Sequence, residues 1–165
     1  VVQGGSTITQ QLSKQIFLTR ERTIVRKLKE ILLAIQIERN FSKPEILQLY
    51  LNQVYFGEGA YGAQAAAAIY FGKDIKQLSL AESALLAGLP KSPNNYSPFR
   101  SSKNAERRRA LVLERMREEG FITKEDEKKA MAVPVPTVRP AMSAAATPEP
   151  SCLACSTAAS PAAAA

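Results

Sequence analysis

The chain has 165 residues, 45% of them hydrophobic, enough for one domain with its own core. Lys and Arg outnumber Asp and Glu by 22 to 15, and a net charge of +7 points to an anionic partner: nucleic acid, acidic lipid headgroups or a phosphorylated substrate. No apolar run reaches the roughly 18 residues of a membrane-spanning helix and no signal peptide is present, so neither is expected.

In chain order, Gly4-Gly5 makes the first turn, and Thr7 with Gln10 fits a capping box. Ile8, Leu12 and Ile16 then repeat at helical spacing. A second helix is expected from about residue 22 to 38, with Ile24, Leu28, Ile31, Leu32 and Ile35 forming its apolar face. Ser42, Pro44 and Glu45 supply a cap, a first-turn proline and a capping glutamate for a third helix. It carries Ile46, Leu47, Leu49 and Leu51 and should end before Gly57.

Gly57, Gly59 and Gly62 read as a flexible loop, and Ala65–Ala68 as a narrow helix that neighbours can approach closely. Ser79 and Glu82 start another helix, stopped by Gly88 and Pro90, and residues 90–99 read as a proline-rich loop. A basic helix over 103–119 turns Leu111, Leu113 and Met116 inward, leaves its arginines solvated and ends at Gly120; Thr123 caps a last short helix. Phe17, Phe56, Tyr61 and Phe71 are expected in the core. Strand-like alternation is almost absent, so the fold class is all-α.

Six of the ten prolines lie at or after Pro134, and from Ala141 onward Glu149 is the only charge. The expected division is therefore a domain over 1–132 and a low-complexity, disordered tail over 133–165. Cys152 and Cys155 form a C-x-x-C in that tail, without a second ligand pair or any histidine, and read as incidental thiols.

Two stretches carry chemistry. On the second helix Arg22, Arg26 and Glu30 stand at i, i+4 and i+8, opposite the apolar face, at about 100° per residue. Such pairs are common on solvated helix faces. Here, however, the same side continues into Leu33, Ala34 and Ile37, and four cations (Arg22, Arg26, Lys27, Lys29) gather round one carboxylate. The first helix offers Ser6, Thr7, Thr9, Gln10 and Gln11, neutral donors and acceptors suited to sugar hydroxyls or diphosphate oxygens, with Lys14 one turn on. Capping accounts for two of those five. A glycine turn opening a helix also presents free N–H groups to an anion.

The segments GGSTITQQLSK (4–14), RKLKE (26–30), KPEILQLYLNQVYFGEGAYG (43–62) and RRRALVLERM (107–116) occur in the same order in a known family. The chain resembles the peptidoglycan glycosyltransferase domain, family 51, of class A penicillin-binding proteins and monofunctional transglycosylases over roughly residues 3–132. The resemblance implies a lysozyme-like helical fold, here incomplete, at the outer face of the bacterial cytoplasmic membrane. It also implies polymerisation of lipid II into glycan strands by inverting transfer, with undecaprenyl diphosphate leaving. Its implied partners are lipid II, the growing glycan, the membrane surface and other cell-wall synthesis proteins, and not nucleic acid.

By the family pattern Lys14 and Arg22 hold the donor's phosphates, and Glu30 is the second essential carboxylate, orienting those groups or a divalent metal (Mg or Mn) at the diphosphate. Ser6, Thr7, Gln10, Gln11, Arg26 and Lys27 line the cleft, while Tyr50 and Asn52 shape it. Gln15 stands where the family usually has Asn. The family's principal catalytic carboxylate belongs to an earlier Glu-Asp motif, whereas the first acid here is Glu21. These 165 residues alone are therefore expected not to polymerise lipid II; robust glycan synthesis by them would refute that. No S-x-x-K follows, so no transpeptidase domain is expected within the chain. The rival readings are a basic helical nucleic-acid-binding module and a catalytically dead membrane-surface scaffold.

Overall fold

A computed structural model of the chain describes residues 6–17 and 24–140, with the Ile16 and Phe17 side chains outside that description. Gly4-Gly5, Arg22, Cys152 and Cys155 likewise lie outside the described residues. The helices are α1 (Ile8–Phe17), α2 (Ile24–Asn40), α3 (Lys43–Gln53), α4 (Ala63–Phe71), α5 (Leu80–Gly88), α6 (Pro93–Tyr96), α7 (Ser102–Glu118) and α8 (Lys124–Ala132). Strands β1 (Tyr55–Gly57) and β2 (Ala60–Tyr61) form a small antiparallel hairpin between α3 and α4.

The starts follow the sequence signals. Ser42 N–H and Oγ both donate to Glu45 Oε2 at 2.7 Å, with Pro44 in the first turn of α3. Ser79 and Glu82 build the same reciprocal cap on α5, and Thr123 with Asp126 on α8. The Pro-rich stretch 90–99 is more ordered than expected: it holds a 3-10 turn, Leu89–Lys91, and the single-turn α6. A proline is tolerated in a first turn, where its missing N–H has no partner to lose.

α1 packs on α2 and α3, α5 on α7, and α7 on α8. The main core gathers Leu12, Ile46, Tyr50, Val54, Phe56, Tyr70 and Leu89 around the alanines of α4. Those alanines let neighbouring backbones come close, since Ala66 and Ala67 are wholly buried. A second cluster joins α5, α7 and α8 through Ala81, Ala84, Leu113 and Ala130. The chain stays packed past residue 133, because Val135 is buried against Leu85 and Ala105.

Four further expectations are corrected. The expected apolar face of α2 is exposed: Ile24 is 83% accessible, Leu32 62% and Leu28 57%, while Glu30 and Ala34 are the buried residues of that helix. The reason is the partner, since α1 offers α2 hydroxyls as well as carbon. The glycine-rich loop is the hairpin, its three glycines all at positive φ. Tyr61 lies on the outer face of that hairpin, 67% exposed, not in the core. Finally, Arg109 is buried and donates from Nη2 to the Met131 carbonyl at 3.2 Å, in the last turn of α8. A cation suits a helix C-terminus.

Candidate active site

The polar cluster is built where α1 crosses α2. Thr7 Oγ1 accepts from the Gln10 N–H at 3.2 Å and so caps α1. The Gln10 side chain does not complete a capping box; its Oε1 accepts from Ser6 Oγ at 3.0 Å. The same Ser6 hydroxyl lies 3.4 Å from Glu30 Oε1, so its single proton is shared between two acceptors. Gln11 Nε2 donates to the Ser6 carbonyl at 3.2 Å, and its Oε1 accepts from the Tyr50 hydroxyl at 3.4 Å. Burial raises the Tyr50 pKa, so that phenol remains a donor at neutral pH.

Glu30 is 2% exposed. A buried carboxylate without partners is costly, and Lys27 meets that cost: its Nζ stands 2.5 Å from Glu30 Oε1, one turn earlier on α2. Lys27 itself keeps its side chain about half exposed, at 48%. The pair is thus a buried anion reached by a cation whose stem runs to the surface. Ser13, fully buried, donates from Oγ to the Gln10 carbonyl at 2.9 Å and lies 3.3 Å from the Glu30 carbonyl. It fastens the backbone of one chemistry-bearing turn to the other.

Of the residues singled out from sequence, Ser6, Gln10, Lys27 and Glu30 form one hydrogen-bonded group, with Gln11 joined to it through the Ser6 carbonyl. Thr7 acts as a cap beside them. Lys14 is exposed on α1 one turn past Gln10 and Gln11, and Arg26 is half-buried on α2. Arg22 lies outside the described residues. Ser13 escaped the sequence reading. Its signal was there: Thr9, Leu12 and Ser13 stand at i, i+3 and i+4, and all three are buried.

Among the described residues no cluster of three or more carboxylates, cysteines or histidines could enclose a metal ion. Glu30 is the carboxylate of this site, and Mg²⁺ ordinarily takes one or two carboxylates together with substrate phosphates. The donors among the described residues do not make a protein-only cation site, and would serve such an ion only if most of its ligands came from elsewhere.

A family profile described as Transglycosylase matches residues 1–117. Penicillin-binding protein 1A of Aquifex aeolicus (strain VF5) is 61% identical over 135 residues, covering 82% of this chain and 19% of that protein. Penicillin-binding protein 1A of Pseudomonas aeruginosa is 52% identical over 132 residues, covering 80% of this chain and 16% of its own length. The crystal structure of penicillin-binding protein 1A from Haemophilus influenzae aligns with a TM-score of 0.55 at 34% identity, over 81% of this chain and 16% of that one. The chain thus spans less than a fifth of the length of these relatives.

Proposed function

Because this chain belongs to the transglycosylase family, we propose that its α1–α2 cluster is the diphosphate-and-sugar side of a peptidoglycan glycosyltransferase cleft that uses lipid II. The reaction transfers the growing strand: an acceptor 4-hydroxyl attacks the anomeric carbon, the bond to the diphosphate breaks with inversion, and undecaprenyl diphosphate leaves with the electron pair. Such a donor needs stabilised negative charge at the leaving group more than it needs a general acid, and nearby cations are the fitting device. The observation that carries the reading is Glu30: buried, paired with Lys27 and touched by Ser6 from just before α1, on the side of α2 that faces α1.

In this reading Lys14 and Arg22 neutralise the diphosphate, and Glu30 sets the position of Lys27 beside it. Ser6, Thr7, Gln10, Gln11 and Arg26 meet sugar and phosphate oxygens. A divalent cation, where present, would be held by Glu30 with the substrate's own phosphates and would offset their charge. The acceptor's proton goes to a base that the family pattern puts upstream of Gly4.

The membrane is the setting this reading requires, and α2 suits it. Ile24, Leu28 and Leu32 stand exposed along one side, with the exposed Lys27 and Lys29 on the same helix to meet anionic headgroups. No helix among the described residues is long and apolar enough to cross a bilayer.

The test is binding of a diphosphate glycolipid, either lipid II or an inhibitor that mimics it, to the chain and to its Lys14→Ala, Arg22→Ala variant. The double change should weaken binding by about 2–5 kcal/mol if those cations are desolvated against phosphate. Unchanged binding would defeat the reading. A nucleic-acid-binding module predicts the reverse pattern, namely indifference to glycolipid and affinity for nucleic acid that falls steeply with salt.

A further inference from the structure

We propose that the outer face of the β1–β2 hairpin, where Tyr61 and Tyr55 lie ring against ring, is a stacking platform for the glycan strand outside the reacting cleft. The proposal rests on the glycosyltransferase reading above and extends it to a second surface.

The hairpin has two unlike faces. Its inner residues, Phe56 and Ala60, are 1% and 0% exposed in the main core. Its outer residues, Tyr55 and Tyr61, are register partners with ring centroids 4.8 Å apart and planes inclined by 42°. Cross-strand aromatic contact stabilises a hairpin by itself. That contact still leaves Tyr61 67% in solvent, with a ring face open to a further partner.

The platform is held still from behind. Tyr70 donates its buried hydroxyl to the Phe56 carbonyl at 3.0 Å. At the tip, Glu58 has a positive φ of 53°. Its carboxylate accepts from the buried Ser97 Oγ at 2.9 Å and pairs with Arg100 at 3.5 Å, while its carbonyl accepts from Arg139 at 3.3 Å. A braced aromatic surface loses little freedom when a ligand lands on it.

Chemistry selects the occupant. At the end of α3 the exposed Asn52 and Gln53 are uncharged amides, while the charges at the hairpin tip, Glu58, Arg100 and Arg139, are engaged with one another. Aromatic faces with neutral amides suit a sugar ring, whose C–H face meets the π-cloud while its hydroxyls and N-acetyl groups take hydrogen bonds. The hairpin is also tied to the cleft through α3. Gly62, directly after Tyr61, lies against the Asn52 backbone, where a Cβ would come within 2.7 Å of its carbonyl oxygen. Two residues before Asn52, Tyr50 donates to Gln11 of the α1–α2 cluster. One helix thus joins the platform to the reacting end.

The test uses the 165-residue chain and a soluble β-1,4-linked N-acetylglucosamine hexamer, with affinity read by calorimetry and thermal unfolding as the fold check. Tyr61→Ala should lower the affinity about tenfold, the size of one lost aromatic stack, and Tyr61→Phe should stay within about twofold. Both variants should unfold near the parent's midpoint. No binding by the parent at millimolar sugar overturns the platform, as does equal affinity in Tyr61→Ala or an equal loss in Tyr61→Phe. Lys14→Ala separates the two readings, because it should weaken diphosphate glycolipid binding while leaving the hexamer's affinity unchanged. Hexamer binding indifferent to Tyr61 alongside glycolipid binding sensitive to Lys14 would remove the platform and spare the function. The opposite pattern would do the reverse.

Discussion

At the scale of single residues, the α1–α2 crossing is decided by hydroxyls. Ser13 is fully buried and bonds within α1 at 2.9 Å while reaching the Glu30 carbonyl at 3.3 Å. Both carbonyls belong to helices and have backbone partners as well, so Ser13→Ala should cost only about 1 kcal/mol in urea unfolding. Leu12→Ala beside it, fully buried in the main core, should cost about 2–5 kcal/mol. The glycines permit a sharper comparison. Gly59 and Gly62 have φ of 82° and 84°, but a Cβ at 59 meets open space and one at 62 meets the Asn52 carbonyl at 2.7 Å. Gly59→Ala should therefore cost about 1–2 kcal/mol of backbone strain, and Gly62→Ala clearly more, in the same unfolding assay. Sequence reading found the neutral hydroxyl and amide run by its composition. It passed over Ser13 because a serine on a buried helix face looks like any small residue until its acceptor on the neighbouring helix is known.

Among the elements, α2 is where periodicity gave the right helix and the wrong orientation. An apolar stripe identifies a face that avoids water, but it does not say what covers it. Here α1 and the residues leading into it present Ser13 and Ser6, and the side of α2 carrying Glu30 and Ala34 turns toward them. The reading that Glu30 sits where a polar stripe meets buried surface holds for the same reason. Caps were legible because their signals are local: Ser42–Glu45, Ser79–Glu82 and Thr123–Asp126 each span three residues. The hairpin was not, since five strand residues are too few to show alternation.

Helix α5 supplies a pH test. Burial alone would raise the Glu82 pKa, but hydrogen bonds from Lys73 and Ser79 outweigh it and hold the group below the ordinary value of 4.5. A folded-state pKa lower than the unfolded one gives stabilisation that is complete above 4.5 and disappears as pH falls through the lowered value. Glu82→Gln should thus be less stable than the parent at neutral pH, with the gap closing on acidification, as read by denaturant titrations across that range.

For the molecule as a whole, the two ends differ in character. The α1–α3 end carries the polar cluster and the exposed stripe of α2, while the α5–α7–α8 end is held by small residues and a buried arginine. Leu28→Glu with Leu32→Glu removes apolar surface from the first end without touching a core, so unfolding free energy should shift by less than about 1 kcal/mol. Sedimentation with anionic vesicles should fall several-fold in the same variant. Equal sedimentation would detach α2 from the membrane reading. The mostly helical plan was legible because helix periods and stops recur along the chain, whereas which side of each helix meets solvent depends on contacts between distant residues.

The seam between α5 and α7 has a bearing on the history open to this sequence. A Cβ at Gly88 would stand 2.8 Å from Arg108 Cγ, and the same Arg108 donates to the Gly88 carbonyl and lies over the Tyr96 ring. A methyl group at position 88 would push the Arg108 side chain out of both contacts unless position 108 had already shortened, so the order of the two substitutions matters. Gly88→Ala in an Arg108→Ala background should be nearly neutral yet harmful by itself, and a lineage that lost the arginine first would find the way back blocked by its own alanine.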